Sequence, residues 1–170
     1  MVNSTILKYR TKFANRRRLS SRGSKSFPSS STIGILFTVE DIDKHNNIKK
    51  FIEKLEAENK KVSSICFLPK GKDNFEFLFN FFTKKEIGYF GQLKNEYLKD
   101  FLNQSFDYLF LLDQKSTPCM QYILANSQAK CRVGLAENQN QEFMELLIKP
   151  KSKTMEDIVD DLLTYIKKIK

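Results

Sequence analysis

The chain has 170 residues, 41% of them hydrophobic, and 29 Lys and Arg against 20 Asp and Glu give a formal net charge of +9. That length suits one α/β-sized domain with an appendage, and that apolar fraction suffices for a core. There is no apolar run of about eighteen residues and no apolar stretch at the N-terminus, so neither an integral membrane segment nor a secretory signal is expected.

The charge is concentrated at the start of the chain. Lys8, Arg10, Lys12, Arg16, Arg17, Arg18, Arg22 and Lys25 lie within residues 1–31, which hold no Asp or Glu. The remaining 21 basic and 20 acidic residues leave the rest near neutral. Such a block binds polyanions, because each cation placed on a phosphate releases a counterion. Residues 4–19 can form a helix with Ile6, Tyr9 and Phe13 on one side. Residues 20–31 (SSRGSKSFPSSS) read as a flexible Ser-rich linker, so residues 1–31 are expected to be a separable arm and residues 32–170 the folded domain. Four roles for the arm compete. Contact with RNA or a ribosomal particle suits the Arg16-Arg17-Arg18 run beside Tyr9 and Phe13. A solvated tail, or a helix docked on its own domain by Ile6, Tyr9 and Phe13, is the structural alternative. An organelle-targeting segment and attachment to an anionic membrane surface complete the set.

Residues 32–39 (TIGILFTV) read as a buried first strand. Asp41 or Asp43 can cap the helix that follows, with Ile48, Phe51, Ile52 and Leu55 as its apolar stripe. Residues 62–68 form the second strand. Residues 75–82 (FEFLFNFF) fit strand or helix, and residues 86–90 a short strand. Asn95 starts a helix containing Leu98 and Phe101. Residues 106–112 (FDYLFLL) are the strongest strand, placed centrally, with Leu109 and Leu111 on one face and Tyr108 and Phe110 on the other. Thr117 as N-cap with Pro118 at the first helical position starts the next helix. A strand over 131–135, another within 142–148 and an amphipathic helix over 154–169 complete the chain. Strands alternating with helices imply a Rossmann-like three-layer sandwich with a mostly parallel sheet.

Motifs for chemistry are sparse. Neither G-x-G-x-x-G nor G-x-x-x-x-G-K-[ST] occurs, and the turn after the first strand, Glu40-Asp41-Ile42-Asp43, is acidic where a phosphate loop needs glycine. Glu40, Asp41 and Asp43 could hold a divalent cation but read better as helix-start acids. Cys66, Cys119 and Cys131 form no C-x-x-C pair or Cys/His cluster and read as reduced, buried thiols. Cys119, one residue into its helix, could have its thiol pKa lowered by the dipole, although its apolar neighbours favour burial. The one histidine, His45, falls on a charged helix and is expected at the surface. No cofactor, metal or catalytic residue is expected. A possible small-anion or sugar-phosphate pocket consists of Asp113, Lys115, Ser116 and Thr117, beyond the central strand and at a helix N-terminus.

Two resemblances add to this reading. Residues 106–136 resemble a strand–helix–strand unit of heptosyltransferase-type glycosyltransferases through Phe106, Asp107, Lys130, Arg132, Val133 and Gly134. That kinship would imply half of a two-domain fold, without transferase activity. The whole chain more closely resembles an uncharacterised bacterial family of small basic Rossmann-like proteins. The residues that carry it are the basic N-terminal helix, IGIL at residues 33–36, GYFGQLKN at 88–95 and AKCRVGL at 129–135. This resemblance implies the fold class and a bacterial cytoplasm. The expected function is thus a non-enzymatic module that associates with RNA or a ribonucleoprotein through its arm. The alternatives are a binding module for a small anion and an envelope-associated interaction protein with a lipid or protein partner.

Overall fold

The computed structural model describes residues 3–19, 22–23, 25–72, 79–136 and 141–169. The elements in order are α1 (Ser4–Arg18), β1 (Thr32–Thr38), α2 (Ile42–Ala57), β2 (Lys61–Phe67), β3 (Phe81–Phe82), α3 (Glu96–Asn103), β4 (Tyr108–Leu111), α4 (Pro118–Asn126), β5 (Cys131–Leu135), β6 (Leu146–Ile148) and α5 (Met155–Ile166). All six strands pair in parallel in the order β3-β2-β1-β4-β5-β6. The chain builds outward from β1 in one direction, then returns to the other side of β1 at β4. That reversal is the topological switch of a Rossmann-like sheet.

Parallel strands covered on both faces must be apolar throughout. In β4 every residue is buried. Tyr108 and Phe110 face α2 and α5, while Leu109 and Leu111 face α3 and α4. β1 alternates likewise, with Ile33, Ile35 and Phe37 on the first face and Leu36 on the second. Gly34 is demanded by packing: a Cβ there would stand 2.8 Å from the ring of Phe106 and 2.9 Å from Leu109.

The helix caps follow from local chemistry. Asp41 accepts from Lys44 N at the start of α2. Thr117 accepts from Met120 N with Pro118 next to it, and Thr154 caps α5. Each satisfies a backbone donor that the first turn leaves without a partner.

Several expectations are corrected. Residues 86–90 form no strand. A single 3-10 turn, Lys84–Glu86, is followed by an isolated antiparallel bridge between Ile87 and Leu93. Of the ambiguous stretch 75–82, only Phe81–Phe82 is a strand, and residues 75–78 lie outside the described residues. The strand within 142–148 is shorter than expected, because residues 141–143 make a 3-10 turn before β6. His45 is buried, with its ring packed against the ring of Phe79 at 4.7 Å.

Of the expected flexible linker over residues 20–31, residues 25–31 are held on the domain, and residues 20, 21 and 24 lie outside the described residues. Phe27 is buried against Tyr108, and the Tyr108 hydroxyl donates to Lys25 O. The buried Lys60 ammonium donates to the carbonyls of Phe27, Pro28 and Ser30 at 2.9, 3.3 and 2.7 Å and sits over the Phe27 ring. A Ser-rich composition suggests mobility only when nothing gathers the backbone carbonyls. Here a lysine remote in sequence does so.

Candidate nucleic-acid interface

α1 is the basic helix, and its two long ridges do different things. Asn3 caps it by accepting from Thr5 N and Ile6 N at 3.0 and 3.2 Å. Leu7, Thr11 and Asn15, spaced by four residues, form the buried ridge that packs on α4. Asn15 is the polar anchor. Its side chain donates to Glu142 O at 2.6 Å and accepts from Arg132 at 2.7 Å. The ridge Tyr9, Phe13, Arg17 is offset by two residues, which turns it about 200° around the axis. It faces out: Tyr9 is 73% and Phe13 69% exposed. The docking surface is therefore not the Ile6, Tyr9, Phe13 side expected from hydrophobicity.

The outward positions concentrate charge. Lys8, Arg10, Lys12, Arg16 and Arg17 are exposed, Arg18 is half-buried, and α1 contains no acidic residue. Arg16, Arg17 and Arg18 occupy the last turn, where the helix dipole favours cations. Between α1 and α4 runs a groove of about 370 Å³ lined by Tyr9, Arg10, Phe13, Arg17, Arg18 and Tyr122, among others.

Two of the eight cations expected on this surface are placed otherwise. Arg22 is turned inward. Its guanidinium donates to Ala129 O at 2.6 Å and to Leu124 O and Ser127 O at 3.5 and 3.4 Å, closing the carboxyl end of α4. Burial, then the neighbouring Arg132 guanidinium, pushes the Arg22 pKa down to about 10. Lys25 is half-exposed and 3.9 Å from Asp107, beside the 25–31 turn rather than on α1.

The proposed anion pocket fares differently. A crevice of about 860 Å³ does open at the carboxyl ends of β1 and β4, walled by the starts of α2 and α5. Of the four expected residues, Lys115 lines it. Asp113 is buried behind it, 2.5 Å from the buried Lys44 ammonium, and accepts from Thr38 N and Thr38 Oγ1 at 3.1 and 2.6 Å. Lys44 also reaches Glu40 at 2.8 Å. Ser116 accepts from Gln121 Nε2, and the Thr117 hydroxyl accepts from Met120 N as a cap. The acids Glu40, Asp41, Asp43 and Glu156 share the crevice wall with Lys50, Lys115 and Lys153. Asp41 occupies the Lys44 N donor at the α2 N-terminus, where a nucleotide phosphate would bind. Among the described residues, no group of three or more His, Cys, Asp or Glu could hold a metal ion.

The thiols are free and buried. Burial pushes Cys66 up to about 12 and Cys131 up to about 11, and it raises Cys119 as well, against the lowering a helix dipole would give. Asp107, Lys130 and Arg132, the polar residues on which the expected glycosyltransferase resemblance rested, are engaged in ion pairs inside this fold. Lys130 contacts Asp107 at 3.0 Å, and Arg132 grips Glu145 through two nitrogens at 3.0 and 2.6 Å.

The sequence reading expected a short strand at the aromatic turn after β3 and named no site residue there. Tyr89 and Phe90 are 49% and 55% exposed. Gly91, with φ of +82°, lets the turn close against α4, where Tyr122 Oη donates to Gly91 O at 2.8 Å. The paired rings between two glycines were the available signal. No helix among the described residues is long and apolar enough to cross a membrane. No curated protein and no solved structure matches the chain. A family model matches residues 3–169, taking in α1 and the sheet domain together, and the chain belongs to that family, described as "Family of unknown function (DUF6913)".

Proposed function

We propose that the protein is a non-enzymatic Rossmann-like module that associates with RNA or a ribonucleoprotein particle through the outward face of α1. The observation that carries this reading is the composition of that face: five exposed cations without one acid, with two exposed rings set between them. The helix is held on the domain by Leu7, Thr11 and Asn15, so the cations need no folding step to be presented, which lowers the entropic cost of binding. Phosphate contacts of this kind give affinity without sequence preference.

Filter binding of the full chain to RNA across a salt series tests it. Wild type binds at low salt with a steep log–log slope. Changing Lys12, Arg16 and Arg17 together to Ala flattens the slope by roughly two to three units, similarly for different RNA sequences. An unchanged slope rejects α1 as the contact surface. Binding to anionic vesicles but not RNA would move the assignment to a membrane surface. The crevice supports a second reading, a site for a small anionic or sugar-phosphate-like ligand at Lys50, Lys115 and Lys153. It would gain if sugar phosphates raised the melting temperature in a Lys115-dependent way while RNA failed to bind.

A further inference from the structure

We infer that the outward face of α1 and the adjoining aromatic turn form a stacking platform for unpaired nucleotides, so that this surface selects single-stranded over duplex RNA. This rests on the phosphate-binding reading of α1 and names its substrate class.

Four exposed rings lie on α1 and on the turn that touches it: Tyr9, Phe13, Tyr89 and Phe90. The turn that carries the last two is fastened to α1 and α4. Asn3 Nδ2 donates to Tyr89 Oη at 3.2 Å, Tyr122 holds Gly91 O, and a Cβ on Gly91 would lie 3.4 Å from Arg10 Cδ. Inside the turn, Gly88 N donates to Gln92 O at 2.8 Å and Phe90 N to Gln92 Oε1 at 3.1 Å. Tyr89 and Phe90 stand nearly perpendicular, 82° apart with centroids at 5.0 Å, so their faces point in different directions. Rings held out into water by a braced backbone offer apolar faces to a ligand.

Spacing and charge identify the occupant. Tyr9 and Phe13 are four residues apart on one ridge, about 6 Å along the axis. Stacked bases of a duplex repeat at about 3.4 Å. The rings therefore suit bases that have separated from one another, each taking one ring face. A duplex buries its base faces in its own stack and offers only phosphates and groove edges. Arg10 and Arg17 flank the rings in the groove, where they can follow a backbone while the bases stack. A second copy of the chain fits poorly, because two acid-free α1 faces repel. A lipid surface wants a broad apolar face, whereas these rings alternate with guanidinium groups.

The test compares an unstructured RNA oligonucleotide with the same strand annealed to its complement, using the full-length protein. Wild type binds the single strand at least about tenfold more tightly. The Tyr9→Ala, Phe13→Ala double variant loses about tenfold or more for the single strand. Its duplex binding and its salt slope stay unchanged, because a ring releases no counterion. Both side chains are exposed, so the fold is not at risk, and Tyr9→Phe keeps the affinity. The chain has no Trp, so a Tyr9→Trp variant reports stacking directly: its fluorescence is quenched by the single strand and not by the duplex. Equal affinity for both forms, with no selective loss in the ring variant, overturns the stacking inference while leaving the phosphate reading intact. Failure of both forms to bind at low salt overturns both readings.

Discussion

The protein uses its cations in two opposite ways, and the outer face of α1 contrasts with the set that points into the fold. On α1, Lys8, Arg10, Lys12, Arg16 and Arg17 are exposed along a helix without an acid. Lys44, Lys60 and Arg132 are buried and Arg22 is turned inward, each held by carboxylates or backbone carbonyls. Lys44 sits between Asp113 and Glu40, Lys60 gathers three carbonyls, and Arg22 and Arg132 share Glu145. A buried ion needs such partners because its desolvation otherwise costs several kcal/mol. The two sets are close in sequence, Arg17 being only five residues from Arg22, yet one is exposed to solvent and the other is part of the scaffold. A charge count therefore measures what a segment carries, not what it presents.

Removing residues 1–31 is the harshest test of this contrast. If the segment were a detachable arm, the domain would fold without it. The packing demands otherwise. Leu7 and Phe27 are each at most 2% exposed, and burying each is worth about 1.5–3 kcal/mol. The truncation also strips Arg132 of Asn15 and Lys60 of its three carbonyls. Together these losses approach the roughly 5–15 kcal/mol that holds a domain folded. The expected result is a chain without a cooperative thermal transition. A truncated domain that melts like the full chain would show the docking to be energetically idle.

How far this was legible in the sequence depends on the range of the interaction. β4 was readable because burial on both faces writes itself as an uninterrupted apolar run, and the Thr117-Pro118 and Asp41 caps because they act within three residues. The docking ridge of α1 was not, because two of its three residues are polar: Thr11 donates to Leu7 O within the helix, and Asn15 finds its partners far along the chain, at Glu142 and Arg132. Hydrophobicity instead selected Tyr9 and Phe13, the rings left in water. The same cause hid the order in residues 25–31, which depends on Lys60, and the burial of His45 beneath Phe79. At the crevice, the location was legible from strand order rules but the occupancy of Asp113 by Lys44 was not, since the two are brought together only by the sheet.

Glu145 sharpens the contrast at its most crowded point. It accepts from Arg132 through both carboxylate oxygens and lies 3.7 Å from Arg22 Nε. Its replacement by Ala leaves two inward guanidinium groups facing each other without the carboxylate. Breaking a buried pair costs about 3–5 kcal/mol, and the partial exposure of Glu145, 22% for its side chain, places the loss near the lower end. Urea denaturation of Glu145→Ala should show a midpoint shift corresponding to about 3 kcal/mol. A shift below about 1 kcal/mol would mean that these arginines are solvated in solution and belong with the outward set.

Asp107 gives the smallest effect and the one with a pH signature. Burial by itself would raise its carboxyl pKa, but donors overcome that: Ser31 N at 2.8 Å, Lys130 Nζ at 3.0 Å and Thr32 N at 3.3 Å hold it well below its ordinary value of 3.8. Lys130 is half-exposed, so its ion pair adds little, and the backbone donors that tie the 25–31 turn to β4 dominate. A carboxyl with a depressed folded pKa stabilises the fold above its unfolded value and loses that contribution as pH falls toward the folded one. Asp107→Asn should therefore cost about 2 kcal/mol at pH 7, and the gap between variant and wild type should narrow as the pH drops below about 4. Parallel urea titrations at pH 7, 5 and about 3 measure it. A gap that persists undiminished at the lowest pH would assign the loss to the shape of the side chain rather than its charge, and Asp107 would then cease to be an example of a carboxylate that fixes inward cations and backbone donors in place.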